Sequence, residues 1–197
     1  MNKNRNKTTL VIAIIGVLLV LIGVGTLGIS RLSQSKAREN AANTIATMRT
    51  LMPEIKNAVS GERYDYTMPM LEIGGDNYIG IIEIPLYDTC LPINGVWSKK
   101  DVSKHPCRYT GSVYDGSLVI GGSDNKGQFD FMKQISIGDY VFITDTVGNR
   151  FSYIVSDIEI TNDISAENLC SEEYELTFYA RNTYNLKYTV VRCEEKN

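Results

Sequence analysis

The chain has 197 residues, with 20 Lys or Arg against 23 Asp or Glu, a formal charge of −3, one His and four Cys. A single imidazole excludes any multi-histidine zinc centre, and a mechanism that needs one must use His105. Residues 1–31 hold Lys3, Arg5, Lys7 and Arg31 and no acid, so the other 166 carry sixteen bases and twenty-three acids, a formal −7 that excludes a nucleic-acid footprint.

The length fits one domain with an appendage. Residues 1–9 are read as a short cytoplasmic N-terminus. From Leu10 to Ile29 twenty residues carry no charge, and fifteen of them are Ala, Val, Ile or Leu. As a helix rising about 1.5 Å per residue, that run spans roughly 30 Å, the hydrocarbon thickness of a bilayer. It exceeds the hydrophobic region of a cleaved signal peptide, and no small-x-small site follows it cleanly. Residues 10–29 are therefore expected to be an uncleaved transmembrane signal-anchor. Basic residues flank it on both sides, and the acid-free N-terminal flank tips the orientation towards N-in.

Residues 30–62 form the expected juxtamembrane helical segment. Ala41, Ile45, Met48, Met52, Ile55 and Val59 recur at spacings of 4, 3, 4, 3 and 4, one face of a helix. Pro53 should end one helix and begin another, and Gly61 should stop the second. A dimerising coil is one reading of this face. Fewer than three heptads, broken by Pro, favour helices that pack on the following domain or stand as a stalk.

Residues 63–197 change character: all twelve Tyr lie beyond Gly61. Strand patterns fall at Tyr78–Ile84, Ser117–Ile120, Tyr140–Asp145, Phe151–Asp157, Glu175–Tyr179 and Tyr188–Arg192, with Val147-Gly148-Asn149 as a hairpin turn. A short helical stretch covers roughly Gly127 to Gln134. The fold class is mainly β: many short strands at regular spacing with short helices suggest a closed barrel, preceded by a transmembrane helix and juxtamembrane helices.

The order of segments from about Asn77 to Cys193 resembles the sortase family, the extracytoplasmic cysteine transpeptidases of Gram-positive bacteria. Tyr78-Ile-Gly-Ile-Ile-Glu-Ile-Pro85 resembles the family's first strand and Leu91-Pro92-Ile93 its second. Arg108-Tyr-Thr-Gly-Ser112 and Ser117-Leu-Val-Ile-Gly-Gly122 resemble the approach to the catalytic histidine. Phe129 to Lys133 and Ile137-Gly-Asp139 resemble the following helix and strand, Leu176-Thr-Phe-Tyr179 the strand ending in the nucleophile, and Tyr188 to Arg192 the last strand. The resemblance implies a sortase-like closed barrel of about eight strands, in a membrane-anchored domain outside the cell membrane.

Family chemistry requires a cysteine thiolate that attacks the Thr–Gly carbonyl of a sorting signal, a histidine for proton transfer and an arginine for the oxyanion or substrate. The positions that match them hold Ser123, Arg181 and Tyr188. Hydroxyl, guanidinium and phenol cannot perform that reaction, and arginine does not lose its proton usefully. The resemblance therefore implies a pseudosortase. Its old groove would be lined by Asp124, Ala180 and Lys187, with Arg181 paired to Asp124. Its partner would be a sorting-signal peptide, a pilin-like surface protein or an active sortase. No cofactor is expected.

Chemistry could instead have moved to His105 and Cys107, two residues apart and on one face of an extended segment. That would give an active divergent sortase, a transpeptidase attaching proteins to cell wall or pili. A dimerising structural or signalling membrane protein is a third reading. Ser123 lacks the second flanking glycine of a nucleophile elbow, and a Ser–Lys pair with Lys187 would need a desolvated amine. Leu91-Pro-Ile-Asn-Gly95 resembles a sorting signal but reads as a strand and its exit turn. Glu167, Glu172 and Glu173 lie where some sortases bind calcium, without the spacing of a defined loop, so no metal site is expected. Cys90, Cys107, Cys170 and Cys193 are even in number, and an extracytoplasmic domain permits disulfides with three alternative pairings.

Overall fold

A computed structural model describes residues 3–58, 67–183 and 185–196. The chain forms two compact units, Met1–Lys36 and Ala37–Asn197. Helix α1 (Lys3–Leu51) begins in the first and ends in the second. The expected span 10–29 falls within α1, and most of its side chains lie outside the described residues. Those of Ile14, Ile15, Val17, Leu18, Leu19, Val20 and Leu21 are all more than half exposed. Among the described residues, no helix is long and apolar enough to cross a membrane.

In the second unit α1 ends where the sequence says it must. Met52 N–H donates to Met48 O at 2.8 Å, and the next residue, Pro53, has no N–H to offer. The expected second helix does not form. Lys56 N–H bonds to Gly148 O at 2.9 Å and Ala58 N–H to Arg150 O at 2.8 Å, so strand β1 (Lys56–Asn57) runs parallel to the edge of a later strand. An open sheet edge supplies partners that a short helix after a proline would have to find in water. Gly61, the expected stop, lies outside the described residues.

Strands then follow in order: β2 (Leu71–Ile73), β3 (Asp76–Ile84), β4 (Thr89–Asn94), β5 (Cys107–Thr110), β6 (Leu118–Ser123), β7 (Tyr140–Asp145), β8 (Asn149–Thr161), β9 (Leu176–Arg181) and β10 (Tyr188–Glu195). A one-turn helix α2 (Ala166–Leu169) precedes β9. The helical stretch expected near Gly127–Gln134 is a 3-10 turn over Asp130–Lys133.

Eight strands close a ring: β8, β10, β9, β6, β5, β4, β3 and β7, the last pairing with both β3 and β8. Strands β1 and β2 are additions at its rim. The alternating side chains of Ile82, Ile84, Ile93, Leu118, Ile120, Val141, Ile143, Phe178 and Val191 fill the interior. Phe129 packs edge-on to Phe131 at 5.2 Å and to Phe178 at 5.6 Å, closing one end. At the β7–β8 hairpin the buried Asp145 carboxylate accepts from Tyr114 O–H at 2.5 Å, Val147 N–H at 2.9 Å, Asn149 N–H at 2.8 Å and Asn149 Nδ2 at 2.9 Å.

The apolar face of α1 is used against this barrel. Ile45, Met48 and Met52 pack on Tyr78 and Ile81, the outward side chains of β3. Met48→Ala is expected to cost about 2–4 kcal/mol, as for other buried Met truncations. Urea unfolding followed by fluorescence of the single tryptophan checks this, and an unchanged midpoint would mean the helix is only a stalk.

Candidate functional site

Strands β6 and β9 are parallel, β9 and β10 antiparallel, and their registers place Ser123 opposite Arg181 and Arg181 opposite Tyr188. Alternation decides which way each residue faces. Leu118, Ile120, Phe178, Ala180 and Val191 enter the barrel core. Val119, Tyr179 and Val190 form a separate outer cluster, and Ser123, Arg181 and Tyr188 share their phase. Ser123, far away in sequence, thus meets Arg181 and Tyr188 in one row on the outer face.

Other expected groove residues divide. Ala180 is 1% exposed within the barrel core, so it does not line the outer face; its phase is that of Phe178. Asp124 does not pair with Arg181. Its carboxylate accepts from Thr183 N–H at 3.0 Å and from the Thr183 hydroxyl, and it forms an ion pair with Lys133 at 3.4 Å. The 3-10 turn after β6 brings Lys133 back, while the β9–β10 loop brings Thr183 over. Burial would raise the Asp124 pKa, but the Thr183 bonds and the Lys133 ammonium outweigh it and hold the carboxyl below its usual value. Arg181 is exposed, with Nε–H directed to Leu186 O at 3.4 Å, and Lys187 is also exposed. Ser123 N–H donates to Gln128 Oε1 at 3.0 Å.

His105 and Cys107 do not form a dyad. The Cys107 thiol is buried and donates to the backbone O of His105 at 3.3 Å, while the imidazole sits edge-on to Tyr78 at 6.5 Å. Burial pushes the Cys107 pKa up to about 12, away from a thiolate, and lowers that of His105. No disulfide joins the cysteines: Cys107 and Cys193 are buried, Cys90 half-buried beside Arg49 at 3.5 Å, and Cys170 exposed. Burial also raises the thiols of Cys193 and Cys90. Among the described residues no three His, Cys, Asp or Glu side chains gather into a metal-binding group, Glu167, Glu172 and Glu173 included.

Two features of the outer face were not anticipated. Leu169 of α2 is 1% exposed and sits on Val119, Tyr179 and Val190, covering the face beside the Ser123–Arg181–Tyr188 row. Arg192 fastens the segment: its guanidinium bonds Asp157 at 2.6 Å, Glu159 at 2.8 Å and Asn168 Oδ1 at 2.7 Å. Alternate acids on β8 opposite an arginine on the last strand were the available signal. The second feature is an aromatic line. Trp97 meets Tyr109 edge-on at 6.2 Å, and Tyr109 meets Tyr179 at 5.7 Å. Tyr179 lies across Gly121, where a Cβ would come within 2.6 Å of its ring, so β6 needs glycine there. Burial pushes the Tyr179 phenol up to about 12, with the Trp97 indole opposing.

Among solved structures the chain is similar to sortases. Sortase A from Corynebacterium diphtheriae matches at 20% identity and TM-score 0.53, over 83% of this chain and 84% of that one. Sortase C1 from Streptococcus agalactiae matches at 19% identity and TM-score 0.56, over 71% and 78%. Clostridium perfringens sortase C with the C-terminal cell wall sorting motif matches at 20% identity and TM-score 0.53, over 61% and 71%. The chain has the sortase fold. No protein-family profile and no curated protein matches the sequence. The eight-stranded ring expected from the resemblance is the sortase barrel, with β1 and β2 added to it.

Two outcomes test this description. In the native protein iodoacetamide should modify Cys170 first and Cys90 more slowly, leaving Cys107 and Cys193 until unfolding; peptide mass mapping over time reads the order. The lowered His105 pKa means folding favours the neutral ring. Its stabilising contribution is full above the unfolded value of about 6.5 and is lost as pH falls through the folded value. Asp124 acts likewise, with its contribution full above about 3.9 and lost below. A urea series from pH 8 to 3 should therefore fall in two windows. His105→Gln should remove the first, and Asp124→Asn should shrink the second, to which Asp163, held low by its Ser165 bonds, also contributes.

Proposed function

We propose that this chain is a membrane-anchored, extracytoplasmic sortase-fold protein that binds its partner without transpeptidase chemistry. One observation carries the reading: the register brings Ser123, Arg181 and Tyr188 into one outward row on adjacent strands. These are the positions that the resemblance matches to histidine, cysteine and arginine. A serine in that row has no imidazole to activate it, because the one imidazole packs against Tyr78. The cationic Arg181 and the neighbouring exposed Lys187 suit a polar or acidic partner segment better than an electrophile. The all-round apolar, exposed stretch Ile14–Leu21 of α1 supports an anchor in lipid. The partner is a sorting-signal-like peptide, a pilin-like surface protein or an active sortase, each of which can lay an extended segment on this face.

A restoration experiment tests both the alignment and the loss of chemistry. The wild-type chain should leave a fluorogenic sorting-signal peptide uncleaved. Ser123→His, Arg181→Cys and Tyr188→Arg together should introduce cleavage that Arg181→Cys alone does not. Cleavage by the wild type, abolished by Cys107→Ala, would overturn the proposal in favour of a relocated nucleophile.

A further inference from the structure

Beside β5 lies a pocket of about 780 Å³, within the size range of small-ligand sites. Trp97 and Tyr109 line it, at 42% and 39% exposure, with ring planes 84° apart. Such large aromatic surface is costly to leave in water unless something covers it. Arg108 lines the same pocket. Its Nε–H donates to Gly95 O at 3.2 Å, and no carboxylate comes within ion-pair distance of it among the described residues. Burial disfavours its charged form, and among the described residues no neighbouring acid compensates. The acid nearest to hand in the lining, Asp115, is already engaged by Ser112 N–H at 3.2 Å, Ser117 N–H at 3.0 Å and the Ser117 hydroxyl.

A half-buried guanidinium without an acid among the described residues is unusual in a domain whose formal charge is −7 from residue 32 onward. The other barrel arginines that are not exposed are neutralised: Arg192 by Asp157 and Glu159, Arg150 by Glu83. We infer that the Arg108–Trp97–Tyr109 pocket is a binding site for a carboxylate carried next to an apolar side chain in a peptide. The planar fork of arginine accepts a carboxylate through two parallel bonds, and the perpendicular rings hold an apolar or aromatic body. A monoanion fits better than a phosphate dianion, since Arg108 is the one cation among the described lining residues and the net negative charge of residues 32–197 opposes a second charge. The carboxylate comes either from a peptide C-terminus or from an acidic side chain. The pocket does not involve Ser123, Arg181 or Tyr188, so its occupancy and the absence of transpeptidation stand or fall separately.

Trp97 is the only tryptophan in the chain, so its emission reports on the pocket directly. The full chain in detergent is titrated to about 10 mM, which detects affinities weaker than millimolar. The probes are three capped dipeptides: acetyl-glycyl-phenylalanine with a free C-terminus, its C-terminal amide, and acetyl-glutamyl-phenylalanine amide. At least one carboxylate probe should shift the emission saturably and bind about tenfold more tightly than the neutral amide. The first against the third tells a C-terminus from a side chain. Arg108→Gln should remove that preference, and Arg108→Lys should restore only part of it. A thermal melt unchanged from the wild type certifies that each variant is folded; where Arg108→Gln melts early, Arg108→Lys alone carries the test. Equal binding of acid and amide, undiminished binding in the folded variants, or no saturable change with any probe would overturn the inference.

Discussion

Closure of the sheet is the constraint on which everything else rests. Because β7 pairs with both β3 and β8, no strand can slip by one residue without turning its apolar set outward. Register therefore fixes two populations along β6, β9 and β10. One fills the barrel, with Ile120, Phe178, Ala180 and Val191; the other makes the outer face, with Val119, Tyr179, Val190 and the row of Ser123, Arg181 and Tyr188. The states of two thiols follow from position alone. Cys193 faces the barrel core, and Cys107 lies buried at the β4–β6 junction, so neither is placed to be a nucleophile.

The outer face that carries the Ser123–Arg181–Tyr188 row is already partly occupied. Leu169 covers the patch beside the Ser123–Arg181–Tyr188 row and Arg192 holds it there, tying α2 to β8 and β10. What remains open runs from Tyr109 to Trp97, with the buried Tyr179 behind them. On the proposed reading, a barrel that carries hydroxyl, guanidinium and phenol in one row keeps a surface for recognition without the groups for covalent chemistry.

Much of this was legible in the sequence because it depends on period and turn chemistry. Ile79 to Ile84, the Val147-Gly148-Asn149 hairpin and the Pro53 stop are local signals, and each falls where expected. The eight-stranded ring and the meeting of residues 123, 181 and 188 came through the resemblance of whole segments in order. Features that depend on long-range partners did not show. Lys56 to Ala58 read as helical from Ile55 and Val59, yet the β8 edge offers their backbone a better partner. Asp124 looked free for Arg181, but Lys133 and Thr183 reach it first through turns whose geometry no periodicity encodes. Ala180 sits next to Arg181 in sequence and on the opposite face in space.

The central claim is that no side chain on this barrel forms a covalent bond to a sorting-signal carbonyl. Intact-protein mass spectrometry tests it most directly. The full chain is incubated with excess sorting-signal peptide without an acceptor amine, quenched in acid and weighed. The account predicts an unchanged mass at every time point. A gain equal to the acyl fragment of the peptide, mapped to Cys107, Cys170 or Ser123, would contradict it.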